Sequence, residues 1–148
     1  MQSKIHYLLS VIILSAITFS CTKDDFSPNG SDDLSVTEVI NTLKSGDWVI
    51  TYFFDKKDET AHFSGYTFTF EDDGTLKATN GSSTVKGSWS NGKDDSKNKL
   101  NINFSSPDNF EDLSEDWHVL EKTDDKIRLE HLSGGNGGTD LLTFEKKG

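Results

Sequence analysis

One cysteine, Cys21, is all the thiol the chain has, so no internal disulfide can form and a folded domain must rest on apolar and aromatic burial. Basic residues are scarce. Fifteen Lys and Arg stand against 25 Asp and Glu, Arg128 is the single arginine, and the formal net charge is −10. That balance excludes the basic footprint of a nucleic-acid binder and disfavours anionic lipid surfaces. Long apolar runs are missing too: the stretch from Tyr7 to Phe19 falls short of the roughly 20 residues a membrane-spanning helix needs. His6, His62, His118 and His131 form no His-x-x-x-His pair and have no second cysteine to complete a zinc site, so neither a metal nor another cofactor is expected. No serine sits in Gly-x-Ser-x-Gly and the carboxylates fall mostly in turns, so the chain does not read as an enzyme.

What is present begins with Lys4, the apolar run and then the small residue Ser20, the order of a signal peptide over residues 1–20; an uncleaved anchor helix is the alternative. Its removal takes away Lys4 and makes the chain one unit more negative. The segment Thr18-Phe19-Ser20-Cys21 resembles a bacterial lipoprotein box, which implies acyl chains on Cys21 as the membrane contact. The following Thr22-Lys23-Asp24-Asp25 resembles the acidic export signal that sends such lipoproteins to the outer face of the outer membrane; a merely solvated tether is the other reading. Residues 21–33 read as lipidated cysteine and flexible tether, and 34–148 as one domain.

Ser35-Val36-Thr37-Glu38 fits a capping box, and Val36, Ile40 and Leu43 share one face of a helix over residues 36–44 that Gly46 should cap. From Trp48 the period changes to two. Trp48, Ile50, Tyr52 and Phe54 alternate along a first strand, and Tyr66, Phe68 and Phe70 along a second. Turns at Gly74 and Asn80-Gly81 lead to strands carrying Leu76 and Ala78, then Val85, Gly87 and Trp89, then Leu100, Ile102 and Phe104. Residues 107–115 read as a helical turn or lid with Phe110 and Leu113 inward, before strands marked by Trp117, Val119 and Glu121, by Ile127, Leu129 and His131, and by Leu142 and Phe144. Eight short antiparallel strands with one apolar face predict an all-β, up-and-down barrel, because closure removes exposed edges.

The run from Gly46-Asp47-Trp48 through Gly87-Ser88-Trp89, after a capped helix, resembles the lipocalin-like surface lipoproteins of Bacteroidota. The resemblance implies that Trp48 closes the barrel floor under a basic residue near the last strand; Arg128, Lys146 and Lys147 leave that partner open. The glycine-rich loop from Ser133 to Asp140 reads as a flexible hairpin connection rather than a phosphate cradle or calcium repeat.

Two functions remain open. One is a surface-tethered carrier of a small apolar or amphipathic molecule, contacted by Trp48, Tyr52, Tyr66, Phe68, Trp89, Phe104, Trp117 and His131, with Gly65, Ala78 and Gly87 leaving room. The other is a barrel filled by its own side chains that binds a surface protein or glycan through outer positions such as Asp108, Phe110 or Asn136.

Overall fold

The alternation of apolar and polar residues becomes eight barrel strands: β1 (Asp47–Asp55), β2 (Thr67–Phe70), β3 (Thr75–Asn80), β4 (Ser83–Asp94), β5 (Lys97–Asn103), β6 (Asp116–Lys122), β7 (Lys126–Leu132) and β8 (Thr139–Lys146). The computed structural model describes residues 35–94, 97–134 and 137–148. The expected signal peptide (residues 1–20), Cys21, the expected tether and Asn136 lie outside the described residues. Each strand pairs antiparallel with the next, and β1 also pairs with β8 from Trp48↔Lys146 to Phe54↔Leu141, which closes the meander into an eight-stranded barrel. No helix among the described residues is long and apolar enough to cross a membrane.

One end of the barrel is closed by α1 (Val36–Lys44). The Glu38 carboxylate accepts a hydrogen bond from the Ser35 amide at 3.3 Å, and the helix buries Val39 and Leu43, with Ile40 packed beside them. Gly46 is not the cap. It lacks the positive φ of a glycine terminator, and Ser45 ends the helix through its amide and hydroxyl, both donated to the Thr42 carbonyl. Gly46 instead makes room for a side chain, since a Cβ there would lie 3.3 Å from Cε of Lys146. The predicted turns hold: Gly74 takes φ +83° and Gly81 φ +60°.

The opposite end is closed by two short helical segments. Between β1 and β2 the chain folds back in a two-residue strand, Lys57–Asp58, and a 3-10 turn, Thr60–Phe63, that puts Phe63 inside. Between β5 and β6 lies α2 (Asp108–Glu111). Phe110 and Leu113 are fully buried, as their spacing predicts. For Phe110 this corrects its alternative placement among outer, partner-facing positions.

Two bulges break the alternation. In β1 the register against β8 jumps between Ile50 and Tyr52, so Thr51 is an extra residue and Phe53, not Tyr52, takes the inward position. In β6 the jump between Val119 and Glu121 leaves Leu120 exposed, and Glu121 pairs with Arg128 on the outer face.

Candidate functional site

The aromatic residues expected to line a ligand cavity pack mostly against one another. Trp48, Phe68 and Trp117 are fully buried and Phe104 nearly so. Phe110 enters from the lid and sits edge-on to Phe63 at 5.3 Å, to Tyr66 at 5.1 Å and to Phe104 at 5.1 Å between ring centroids. Phe68 and Phe144 meet at 5.5 Å, Phe144 and Phe70 at 5.6 Å, and Phe70 and Trp89 at 5.4 Å. One chain of ring contacts thus joins the lid to Trp89. The room expected at Gly87 is taken: a Cβ there would fall 2.6 Å from the Phe104 ring. Ala78 is fully buried, and Gly65 takes φ +82° beside the Asn80 side chain.

The three indoles have no free polar handle. Trp48 donates to the Leu43 carbonyl at 2.8 Å, Trp89 to Glu71 at 3.0 Å and Trp117 to Leu113 at 2.9 Å. Each bond ties a strand to the element covering it, and leaving such a carbonyl bare in the interior is costly. The basic partner of Trp48 is Lys146, whose ammonium lies 5.8 Å from the ring centroid. Local sequence could not single it out, because the pairing Trp48↔Lys146 is made by barrel closure.

The other two singled-out residues lie outside this packing. Tyr52, turned outward by the bulge, is 37% exposed. His131 takes the rim, its ring 6.2 Å from Trp117. Its Nδ1 lies 3.0 Å from Oδ1 of Asp116 and its Nε2 3.4 Å from Oε2 of Glu115. Lys99 reaches the other oxygen of Asp116 at 2.6 Å, and that hydrogen bond holds the Asp116 carboxyl below its usual range. Glu115, Asp116 and His131 have ligand atoms within 4.8 Å of one another. Yet the two imidazole nitrogens face different carboxylates and an ammonium sits on one of them, so the arrangement is a polar network, with Lys99–Asp116 as its ion pair, that binds the ends of β6 and β7 to β5.

Open clefts occur on the outside. One, of about 260 Å³, lies between the β6–β7 turn and β8 and is lined by charged groups, with Lys126 paired to Glu145 at 3.0 Å. Another, of about 410 Å³, runs between the β2–β3 turn and the outer face of the β4–β5 hairpin. Asp73 and Gly74 form its turn side; Ser88, Trp89 and Ser90 of β4 and Asn101 and Asn103 of β5 form the rest. Ser88 is directly opposite Asn103, and Ser90 opposite Asn101, so the four polar side chains share one face. The turn is held over β4 by the Trp89 amide, which donates to the Gly74 carbonyl at 2.8 Å. The Thr75 amide on Asp73 keeps that carboxyl below its usual range. Sequence reading passed over this cleft because serines and asparagines on the polar face of a strand look like ordinary solvated positions. Only the register brings them together.

The fold is similar to that of a DUF4847 family protein from Bacteroides vulgatus ATCC 8482, with a TM-score of 0.50 and 18% identity over 74% of this chain and 97% of that one. No protein-family model and no curated protein matches the sequence.

Proposed function

We propose that this chain is a binding module that works from the outer surface of a side-chain-filled barrel, held at the outer membrane by acyl chains on Cys21 and facing the cell exterior. The observation that carries the reading is the interior packing: the lid residue Phe110 is fully buried among the rings of Phe63, Tyr66 and Phe104, and all three indole N–H groups are bonded to main-chain carbonyls. Carriage of a small apolar molecule inside would require those rings to leave. The acidic surface favours a neutral or basic partner, a surface protein or a glycan, over a polyanion. The barrel supplies a rigid platform and needs no chemistry of its own for this role.

Titration of the protein with N-phenylnaphthylamine, a small apolar fluorophore, tests the reading. No saturable binding is expected. Stoichiometric binding that quenches the tryptophans would overturn it and restore the carrier function.

A further inference from the structure

We infer that the cleft between the β2–β3 turn and the outer face of β4–β5 is a binding site for a neutral polyhydroxylated ligand, a mono- or disaccharide. The inference rests on the outer-surface reading above and gives it a place and a ligand class.

The size is suitable. A volume of about 410 Å³ falls within the roughly 300–1,000 Å³ of small-molecule sites. The chemistry of the lining is narrower. Two hydroxyls, two carboxamides and one carboxylate offer donors and acceptors in close alternation, which matches vicinal hydroxyl groups that both give and accept hydrogen bonds. Among the described residues, Ser88 and Asn103 have no side-chain hydrogen-bond partner, while Asn101 donates to Ser90 at 3.2 Å and so keeps its carbonyl oxygen for a ligand. No lysine or arginine lines the cleft, so nothing there would hold a phosphate, sulfate or carboxylate. Trp89 is the one apolar residue of the lining, and its ring is buried inside against Phe70, so the cleft offers too little apolar surface for a lipid or a greasy peptide. The charged cleft beside β8 differs on each of these points, with three carboxylates and two lysines in its wall.

The walls are also fixed in place, which lowers the ordering cost of binding. The amide and the indole of Trp89 both donate into the β2–β3 turn, to Gly74 and Glu71, so the turn and the hairpin hold one geometry. A Cβ on Gly74 would lie 3.3 Å from the Trp89 carbonyl oxygen, and the turn needs φ +83° there. The approach of the two elements therefore depends on glycine. Because the cleft is open to water, binding is expected to be weak.

The experiment is an amide chemical-shift titration of the full chain with maltose, cellobiose, galactose and N-acetylglucosamine. The expected result is a saturable shift of the Ser88, Ser90, Asn101 and Asn103 amides with at least one sugar, weakened at least about tenfold in Asn103→Asp and Ser88→Ala while the rest of the spectrum is unchanged. No saturable shift with any of the four overturns the site, as does binding that maps elsewhere on the outer face; either result leaves the outer-surface reading standing. A sugar that instead shifts buried amides such as those of Phe68 and Trp117 would overturn both.

Discussion

Along β4 and β5 the two faces of one hairpin differ in every respect that matters for function. Inside, Trp89, Leu100 and Ile102 are buried, and Trp89 sits against Phe70 in the chain of ring contacts that leads to the lid. Outside, one residue away in each case, Ser88, Ser90, Asn101 and Asn103 are exposed, with Asn101 donating to Ser90 and the remaining polar groups open to water or a ligand. The difference teaches that the aromatic content of this chain supports the scaffold, and the polar face is where we place the capacity to bind. A hollow barrel would reverse that assignment.

The largest test of the contrast is Phe110→Ala. Phe110 is fully buried and touches four other rings, so truncation should cost about 3–5 kcal/mol of unfolding free energy, measured by urea denaturation. A cost under about 1 kcal/mol would mean that the lid packs loosely over an accommodating interior. Gly87→Ala probes the same packing from the opposite direction. Its Cβ would collide with the Asn103 carbonyl oxygen as well as with the Phe104 ring, and overpacking of this kind should cost about 1–3 kcal/mol in the same assay.

The smallest effect belongs to the rim. Asp116 has a depressed carboxyl in the folded state, chiefly through the Lys99 hydrogen bond, so its contribution is fully present above the ordinary carboxylate pKa of 3.8 and is lost as pH falls through the lower folded value. Asp116→Asn should therefore flatten the acid loss of stability between about pH 5 and pH 2. With the side chain 46% exposed, the change should stay below about 1 kcal/mol. An unchanged acid slope would show that the rim network is only a surface ornament of β5–β7.

Much of the scaffold was legible in the residues themselves. Eight period-two segments, the capped helix, the glycine at 74 and the inward pair Phe110 and Leu113 all follow from local pattern, and local pattern sufficed because each strand pairs with its neighbour in sequence. What failed to be legible depends on register. Tyr52 reads as inward because strict alternation carries it there, and a single bulge at Thr51 turns it out. The Lys146 partner of Trp48 and the Phe104 ring beside Gly87 are long-range meetings that no periodicity encodes. The polar cleft is the same kind of object: Asp73, Ser88 and Asn103 are unremarkable apart and become a lining only when two strands and a turn are in place.

Crystals of the wild type and of Phe110→Ala pressurised with xenon would measure the central claim, that the barrel interior is full, since xenon enters dry apolar cavities. The expected result is no xenon inside the wild-type barrel and one site among Phe63, Phe68 and Phe104 in the variant. Xenon among Phe68, Phe144 and Trp117 of the wild type would contradict the account and return the interior to the search for a ligand.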